Sequence, residues 1–474
     1  MSDPIHTEQR PTYEELAAEN EALKAENARL RRRIAELEAT VEELRRQIEE
    51  IRRSNKRQAA PFSKGDPKEN PKPPGRKPGH PHAHRTVPQQ VDRVEDVPLP
   101  FEVCPECGGS IQQIEVVPQF QTDIPPVRPI TTRFDIHVGR CQNCDRRVQG
   151  RHRDQTSDAL GSASVQIGPN TLALGCEMKH RLGISYGKVQ TFFQSVFDFP
   201  ISRSTFVRAD TRLADLFEPT YEQLILSIRG KQAVCGDETG WKIAGHNAWL
   251  WVFTQEEITI YRIDPSRAHH VIERVLGEDF QGTLGCDCFL SYNAVSYAQQ
   301  KCLAHLIRNA KEIEKTKKRG AVRFPRAVQR LLQAAIRLKR RKDQMSPHGY
   351  AVARGRIETA MDRLLTGALT DPDNARFAQR LHKHRDRLFV FLYNDAVQPT
   401  NNAAERALRP AVIARKLSAG NRTAQGAKNH SILASVIQTC RQQGQDFRAW
   451  AKTLLCSTQP VIPSWALEGY PRPP

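Results

Sequence analysis

The stretch "QAVCGDETGWKI", residues 232–243, decides the fold, because the clearest strand pattern in the chain begins there. Two further stretches rich in β-branched and aromatic residues follow at 247–255 and 258–263, and both are typical of strands. A helix pattern then covers 265–277, and a short run at 282–289 predicts a fourth, buried strand. Three adjacent strands, a helix and a further strand predict an α/β sheet.

This order of elements describes the ribonuclease H-like fold, and "QKCLAHLI" at 300–307 predicts one more strand. Two isolated acids accompany the pattern, since Asp237 lies in the first strand and Asp287 at the end of the fourth. Successive side chains of a strand point to opposite faces. We therefore expect either Asp237 or its neighbour Glu238 to face a shared site, but not both.

A third isolated acid, Glu405, lies in "TNNAAERALRP", a polar stretch at 400–410 that predicts a helix start with Asn402 as its cap. Glu405 is the single carboxylate between 396 and 445. The basic residues of that segment are Arg406, Arg409, Arg415, Lys416, Arg422, Lys428 and Arg441. One interpretation is an i,i+4 ion pair with Arg409, which stabilises a helix by about 0.2–0.5 kcal/mol. The other is a metal ligand beside nucleic acid.

Carboxylates from two strands and a helix can hold two divalent ions about 3.5–4 Å apart. Mg²⁺ prefers such hard oxygen ligands, and Mn²⁺ is the alternative ion. A pair of these ions activates water or a DNA 3′-hydroxyl and stabilises the leaving oxygen in a displacement at phosphorus. The predicted ligands are Asp237, Asp287 and Glu405, and the predicted DNA-binding residues beside them are Arg406, Arg409, Arg415 and Lys416. His305 either lines this site or is a hydrogen-bonded structural histidine.

Residues 1–58 contain a heptad repeat. The positions assigned to d are Leu16, Leu23, Leu30, Leu37, Leu44 and Ile51, and those assigned to a are Asn20, Asn27, Ile34, Val41 and Ile48. Branched residues at a with leucine at d favour a parallel dimer, and asparagine at a fixes its register. The segment therefore predicts a homodimer through a coiled coil, with a single solvated helix as the alternative.

Residues 59–98 form a basic linker, with eight prolines and six Lys or Arg between 61 and 88. This composition favours an extended chain. Arg76 and Lys77 in "GRKPGHPHAHR" predict contact with a phosphate backbone or a minor groove, although a soluble spacer fits the same letters.

Two Cys-x-x-Cys knuckles lie within 99–150, in "CPECGG" and "CQNCDRR". Their cysteines are Cys104, Cys107, Cys141 and Cys144. Four thiolates can surround Zn²⁺ tetrahedrally, so we predict a closed, structural zinc site. The alternating stretch "TTRFDIHV", 131–138, suits strands of a zinc ribbon. A redox dithiol and unligated surface cysteines are the alternatives.

Residues 151–228 predict helices. "SYGKVQTFFQSVFDF" followed by "PISRSTFVRADTRLADLF" is typical of helix, turn and helix, with Ser202 or Ser204 as the second N-cap. A helix-turn-helix would place the second helix, with Arg208, on DNA. An ordinary helical hairpin fits equally well.

The chain has 474 residues with 71 Lys and Arg against 53 Asp and Glu, a net charge of +18. That excess favours a polyanionic partner, with nucleic acid preferred to an anionic membrane surface. We find no apolar run of about 18 residues and no signal peptide pattern in "MSDPIHTEQR", so we predict a cytoplasmic protein without a membrane partner. The 11 cysteines fit that compartment, because only four of them fall into a paired pattern.

Four segments together resemble a bacterial DDE transposase of the insertion sequence 66 group: "GDETGW" at 236–241, "RAHHVIERVLGEDFQGTLGCD" at 267–287, "CLAHLIR" at 302–308 and "TNNAAERALRPAVIARK" at 400–416. The resemblance also covers the coiled coil, the "GRKPGH" segment and the four cysteines, in the same order. Two features depart from it, because Cys288 stands where a glycine is expected before the aromatic Tyr292, and 417–429 matches only loosely.

The resemblance implies that Asp237 and Asp287 are the catalytic aspartates and Glu405 the catalytic glutamate. It also implies DNA cleavage at the ends of a mobile element, transfer of the 3′-hydroxyl into target DNA, and accessory proteins of the same element. A catalytically silent DNA-binding regulator and a structure-specific nuclease on the same fold are the alternatives. The predicted domains are the coiled coil at 1–58, the linker at 59–98, the zinc module at 99–150, the helical DNA-binding region at 151–228, the core at 229–310 and 396–445, its helical insertion at 311–395 and a tail at 446–474.

Overall fold

The computed structural model describes residues 13–56, 86–100, 102–112 and 115–467. Arg76 and Lys77, which we predict to bind DNA, lie outside the described residues. The chain divides into two compact units, Met1–Phe120 and Gln121–Pro474, and each is described by itself.

In the first unit, helix α1 covers Tyr13–Lys56, so the helix predicted for this segment is found. Its visible heptad side chains are exposed: Leu23, Leu30, Ile34, Leu37, Val41 and Leu44. Because they recur at intervals of three, four or seven residues, they form one apolar stripe along the helix. Pairing of that stripe with a second chain stays a prediction.

The second unit begins with a small antiparallel pair, β1 (Val138–Arg140) and β2 (Arg147–Gln149). The strand predicted at 131–138 is therefore wrong except at its last residue. Residues 131–137 have no regular secondary structure and are mostly exposed, and no neighbouring strand pairs with them among the described residues. Alternation in the sequence is not sufficient for a strand, because a strand needs a partner for its backbone hydrogen bonds.

Three helices follow, α2 (Pro169–His180), α3 (Tyr186–Phe197) and α4 (Arg203–Arg229). The succession of α3, a short turn and α4 agrees with the predicted helix, turn and helix. Ser202 is the N-cap of α4, and its hydroxyl accepts a hydrogen bond from the Thr205 N–H at 3.3 Å. One face of α4 is buried in the main core of the unit.

The central sheet has five strands: β3 (Ala233–Ile243), β4 (His246–Thr254), β5 (Thr259–Asp264), β6 (Thr283–Cys286) and β7 (Ala298–Lys301). Their spatial order is β5-β4-β3-β6-β7. The first three strands are antiparallel to their neighbours in the sequence, whereas β3, β6 and β7 run parallel. This is the mixed α/β sheet that the sequence predicts, and it is compatible with a nuclease-like core.

Short helices connect these strands, α5 (His270–Leu276) between β5 and β6 and α6 (Leu290–Asn293) between β6 and β7. The helix predicted from Pro265 thus begins at His270. The strand predicted in "QKCLAHLI" holds only for its first two residues, because helix α7 (Leu303–Thr316) begins directly after Cys302. A short apolar run fits strand and helix alike, and here the helix period prevails.

A helical insertion follows α7, as predicted for 311–395. It contains α8 (Arg323–Arg340), α9 (Pro347–Thr366) and α10 (Pro372–Lys383). These helices share a hydrophobic core with α7, including Leu306, Leu332 and Leu381. The insertion therefore packs around its own core beside the sheet.

The chain then returns to the sheet with α11 (Asn402–Ser418), α12 (Ala424–Gln442) and α13 (Phe447–Cys456). Helix α11 covers one sheet face through Ala404, Ala407 and Leu408. The opposite face packs on α4 and α5. None of the described helices has both the length and the apolar character needed to cross a bilayer.

Helix α12 closes the outer edge of the sheet. The edge strand β5 has alternate N–H groups at Thr259, Tyr261 and Ile263 that face α12. They donate to the hydroxyls of Thr439 at 3.2 Å, Ser435 at 2.8 Å and Ser431 at 3.0 Å, respectively. Four helix residues rise about 6 Å and two strand residues about 6.6 Å, so the two series stay in step. Side chains of the helix thus replace a sixth strand.

Candidate active site

The parallel pairing of β3 and β6 brings the two predicted aspartates together. Cys235 is the Cα partner of Gly285 in that ladder. Asp237 and Asp287 each lie two residues further along their chains, and Asp287 directly follows the carboxyl end of β6. Because these neighbouring strands run in the same direction, the two carboxylates lie at the same level along the sheet, toward the carboxyl end of β6.

The alternation of β3 decides which of its two acids faces α11. Cys235 and Trp241 pack with the core under α11, whereas Val234 packs in the core on the opposite face. Asp237 is separated from Cys235 and Trp241 by an even number of residues, so it shares their face. Glu238 faces the opposite side, as the sequence required of one of the two.

Glu238 is held in an ion pair and has no free carboxylate oxygen. Arg267 donates to its Oε1 from Nη2 at 2.7 Å and from Nε at 3.1 Å. The Tyr292 hydroxyl donates to its Oε2 at 2.6 Å. With a side chain only 3% exposed, Glu238 anchors the segments after β5 and β6 to β3. Tyr292, the aromatic residue expected after Asp287, therefore holds Glu238 in place.

The start of α11 is tied to β3 beside Asp237. The buried Asn401 side chain donates from Nδ2 to the Gly236 carbonyl at 2.7 Å. The N-cap residue is Asn401, not the predicted Asn402, and its side chain makes no cap hydrogen bond. Local sequence cannot distinguish the two asparagines, because the acceptor lies on a strand 165 residues away.

Glu405 projects from the first turn of α11 toward His305 on α7. Its Oε1 lies 3.5 Å from His305 Nε2, and both side chains are about one-third exposed, at 30% and 31%. The Oε1 atom is buried and accepts no hydrogen bond. Among the described residues Glu405 makes no ion pair with Arg409, so the helix-pair interpretation lacks support. His305 lies beside Glu405, and its part in a site stays a prediction.

The pKa of Asp237 is shifted by its burial and by several of these neighbouring groups. Burial, then Glu238 and also Asp287, raise the pKa of the Asp237 carboxyl from its ordinary 3.8 to about 7. A hydrogen bond from the Glu238 N–H at 3.0 Å and the nearby His305 act in the opposite direction. A carboxyl that titrates near neutral pH beside a second acid and a histidine is typical of a functional site.

The three predicted carboxylates do not converge on one point. Among the described residues, two groups have ligand atoms that all lie within 4.8 Å of one another: Cys176 with His180 and Asp210, and Cys302 with His305 and Glu405. Asp237 and Asp287 instead form a neighbouring pair, and His305 faces both Asp237 and Glu405. The site is thus an aspartate pair beside a histidine–glutamate pair.

A basic cleft of about 1200 Å³ lies between α11, α12 and the amino ends of β3 and β6. Its cationic lining comes from Lys231, Arg406, Arg409 and Arg441, and Glu256 is the one acid among its described lining residues. Arg406 and Arg409 are exposed. The lining of the cleft on β3 runs from Ala233 to Cys235, which lies two residues before Asp237.

The other predicted DNA contacts differ in their surroundings. Arg208 on α4 and Lys416 on α11 are exposed. The Arg415 guanidinium is half-buried and donates to Thr239 Oγ1 at 3.0 Å and to the Gly240 carbonyl. Arg415 therefore fastens α11 to β3, a contact that the sequence did not indicate.

Each cysteine knuckle forms a turn of its own. In the first unit, the Cys104 N–H donates to the Gly109 carbonyl and the Gly108 N–H to the Cys104 carbonyl, both at 2.8 Å. In the second unit, the other knuckle lies between β1 and β2. There the Asp145 N–H donates to the Cys141 carbonyl and the Cys141 N–H to the Arg146 carbonyl, both at 2.9 Å. Backbone hydrogen bonds within each turn lower the pKa of the Cys104 and Cys141 thiols. Both turns suit metal binding, and the shared zinc ion stays a prediction.

A buried polar cluster escaped the sequence analysis. His180 Nε2 lies 2.7 Å from Asp210 Oδ2, which also accepts a hydrogen bond from the Tyr186 hydroxyl at 2.6 Å. His180 Nδ1 lies 3.1 Å from His430 Nδ1, and the His430 ring stacks on Trp241. Burial lowers the pKa of His430 well below its ordinary value. The cluster ties α2, α3 and α4 to α12 and the sheet, across 250 residues of sequence.

Comparisons with known proteins identify relatives of this chain. The uncharacterized protein y4jD of Sinorhizobium fredii (strain NBRC 101917 / NGR234) is 23% identical over 411 residues, which cover 78% of this chain and 77% of that protein. The uncharacterized protein y4qI of the same strain is 23% identical over 254 residues, 47% of this chain and 46% of that protein. A sequence model of the family described as "Transposase IS66 family" matches residues 164–429. This match spans the sheet, the insertion, α11 and part of α12, more than half of the chain, so the chain belongs to the IS66 family of transposases.

Proposed function

We propose that this protein is a DDE-type DNA transposase that cleaves DNA at the ends of an insertion sequence and transfers the resulting 3′-hydroxyl into target DNA. Membership of the family implies a DNA function related to transposition and the use of divalent metal. The observation that carries the finer proposal is the register of β3 and β6, which sets Asp237 beside Asp287 at one sheet edge. Glu405, on the helix anchored next to Asp237, completes the trio.

The aspartate pair and the neighbouring Glu405 offer carboxylate oxygens of the kind that two Mg²⁺ ions, or Mn²⁺ in their place, prefer. Asp237 and Asp287 supply carboxylate oxygens at one edge, and Glu405 Oε1 is buried without a hydrogen-bond partner. A buried carboxylate oxygen without a donor is unfavourable, and a cation satisfies it. When bound, two such ions activate the attacking water or 3′-hydroxyl and stabilise the leaving oxygen.

The chain's own side chains prepare this site. Asp237, with its pKa near 7, must release its proton before it can act as a ligand. The pKa of the His305 ring is raised because the ring contacts the Cys302 sulfur and faces Glu405. Arg406 and Arg409 on the cleft wall would hold the phosphate backbone, with Lys416 further along α11.

The remaining parts extend the proposal to the whole chain. We infer that the sheet with α11 and α12 is a ribonuclease H-like core, interrupted by the helical insertion. The coiled coil would join two copies, the four cysteines would hold a structural Zn²⁺, and Arg76, Lys77 and Arg208 would contact DNA. Accessory proteins of the same element are further expected partners.

The test uses the purified chain, Mg²⁺ or Mn²⁺, and labelled duplex with the sequences that flank its gene. Wild type is compared with Asp237→Asn, Asp287→Asn and Glu405→Gln for nicking and for joined products. Glu256→Gln is the matched control, because Glu256 is an exposed acid of the same cleft.

We expect wild type and Glu256→Gln to cut and join, while the three site variants bind DNA without reacting. If Glu405→Gln reacts as fast as wild type, Glu405 is not a ligand. Cutting without joining would favour a structure-specific nuclease. Tight binding of the flanks with no reaction by any variant would favour a DNA-binding regulator.

A further inference from the structure

Three ligand-type side chains meet at the junction of α7 and α11. Cys302 is the N-cap of α7, and His305 lies three residues later, so both project from one helical turn. Glu405 approaches from the first turn of α11. One ligand atom from each of the three lies within 4.8 Å of the other two.

Hydrogen bonding leaves polar atoms of this group unpaired. Glu405 Oε1 and His305 Nδ1 are both buried without a hydrogen-bond partner. The distance from His305 Nε2 to Glu405 Oε1 is 3.5 Å, at which the two groups make no hydrogen bond. Ligand bonds of about 2.0–2.2 Å from nitrogen and oxygen in a tetrahedral zinc site place two such ligand atoms about 3.3–3.6 Å apart. The observed spacing is close to that which a shared ion would set.

The donor set selects the class of ion. A sulfur, an imidazole nitrogen and a carboxylate oxygen suit Zn²⁺ and other borderline or soft divalent ions, whereas Mg²⁺ does not favour thiolate. The Cys302 sulfur also accepts a hydrogen bond from the Asn401 N–H at 3.1 Å, the kind of outer contact that orients a ligand. His305 and Glu405 are each about one-third exposed, so an ion can enter and can keep an open fourth position.

We propose that Cys302, His305 and Glu405 form a binding site for Zn²⁺ or a similar soft divalent ion, separate from the four-cysteine module. Because Glu405 belongs to both this site and the proposed Mg²⁺ site, an ion held here would withdraw Glu405 from catalysis. This second step rests on the proposed function, whereas the binding site itself does not. The protein would then be inhibited by traces of zinc even with Mg²⁺ in excess.

Binding is tested with Co²⁺ on the full-length protein, since tetrahedral Co²⁺ bound to sulfur gives a characteristic charge-transfer band and visible absorption. We expect wild type to bind one more equivalent of Co²⁺ than Cys302→Ser, and the difference spectrum to show one thiolate ligand. Cobalt held by Cys104, Cys107, Cys141 and Cys144 is common to both proteins and cancels in the difference. Cys288→Ser, which removes a nearby half-buried thiol, is the control and should match wild type.

A second variant guards against misfolding of Cys302→Ser, because Cys302 is buried. His305→Ala removes a ring that is about one-third exposed, and it should weaken Co²⁺ binding roughly tenfold or more. Equal Co²⁺ stoichiometry and equal spectra in wild type, Cys302→Ser and His305→Ala would overturn the proposed site. This arm needs no DNA reaction, so it decides the matter even if the proposed function fails.

The competition is tested by adding micromolar Zn²⁺ to the Mg²⁺-dependent cleavage assay. We expect wild-type cleavage to slow by roughly tenfold or more, and each variant to be compared with its own rate without zinc. Cys302→Ser should lose most of that sensitivity. Equal inhibition of wild type and Cys302→Ser would overturn the competition, whatever the cobalt result.

Discussion

Asp237 opposes folding in its ionised form. Burial and the carboxylates of Glu238 and Asp287 raise its pKa to about 7, whereas an unfolded aspartate titrates near 3.8. Between these two values the folded chain binds more protons than the unfolded chain, so the free energy of unfolding falls as pH rises through this window. The penalty is complete above about pH 7, where Asp237 carries its charge in the folded state.

Replacement of Asp237 by asparagine should therefore stabilise the metal-free protein at alkaline pH. In EDTA at pH 8 we expect Asp237→Asn to unfold a few degrees above wild type, and at pH 5 the difference should shrink because wild type is then protonated. Mg²⁺ should raise the unfolding temperature of wild type at pH 8 and leave the variant nearly unchanged. Thermal unfolding followed by circular dichroism measures both effects. A variant less stable than wild type at pH 8 would contradict the electrostatic account.

Asn401, which is uncharged, stabilises the fold beside Asp237. Its bond to the Gly236 carbonyl joins the start of α11 to the strand that holds Asp237. In Asn401→Ala that buried carbonyl loses its side-chain donor, which should lower the free energy of unfolding by about 1–3 kcal/mol. DNA cleavage should fall as well, since Glu405 would lose its fixed position.

Asn402→Ala is the matched control, because the neighbouring Asn402 is exposed. Its stability should stay within about 0.5 kcal/mol of wild type. Urea unfolding of the two variants measures the contrast. Equal losses in Asn401→Ala and Asn402→Ala would show that the Gly236 contact does not hold α11.

Among the elements, α12 has an unusual role, because its side-chain hydroxyls accept the hydrogen bonds that a sixth strand would otherwise accept from β5. Ser431, Ser435 and Thr439 are buried, and each accepts from one β5 amide. An unpaired sheet edge invites pairing with other chains, and a helix that satisfies its donors removes that hazard. Serines in the middle of a helix are weak helix formers, so their placement here reflects this tertiary contact.

Ser435→Ala should leave the Tyr261 N–H buried and unpaired. We expect a loss of about 1–3 kcal/mol in the free energy of unfolding and faster hydrogen exchange at the Tyr261 amide. Ser418→Ala is the control, since the exposed Ser418 hydroxyl donates only to the Ala414 carbonyl of its own helix. Unchanged exchange at Tyr261 in Ser435→Ala would contradict the proposed closure of the edge.

Helix α1 carries a prediction about self-association. Leu23 and Leu37 occupy d positions on its exposed apolar stripe, whereas Ala25 and Ala39 lie at f, away from a partner. We expect the wild-type chain and Ala25→Glu/Ala39→Glu to be dimeric, and Leu23→Glu/Leu37→Glu to be monomeric. Sedimentation equilibrium at micromolar concentration distinguishes them. A monomeric wild type would leave α1 as a single solvated helix.

Local patterns predicted the elements better than their contacts. The three antiparallel strands lie within one or two residues of their predicted bounds, because alternation and β-branched residues are local signals. The strand at 131–138 was wrong because alternation cannot supply a partner. The bond from Asn401 to Gly236 and the approach of Glu405 to His305 join distant segments, so the sequence could propose the acids of a candidate site but not the contacts that hold them.

At the scale of the whole molecule, the net charge of +18 matters through its distribution. Four cations line the cleft between α11, α12 and the sheet, against one acid among the described lining residues. Arg415 lies on α11 like Arg406 and Arg409, but its guanidinium donates hydrogen bonds to Thr239 and Gly240 of β3. Charge count alone would treat Arg406, Arg409 and Arg415 as equivalent, and the structure separates them into two classes.

That separation can be measured from the salt dependence of DNA binding. Each phosphate neutralised by a cation adds about 0.9 to the slope of log affinity against log salt, because counterions are released. Arg406→Gln/Arg409→Gln should therefore weaken binding to any duplex and lower the slope by about two. Arg415→Gln should keep the slope and instead lower the unfolding temperature, since its loss frees α11 from Thr239 and Gly240. Fluorescence anisotropy at several salt concentrations gives the slopes. If Arg415→Gln lowers the slope as much as one exposed arginine does, its guanidinium leaves β3 for the phosphate when DNA binds, and the cleft would be wider in the complex than in the free protein.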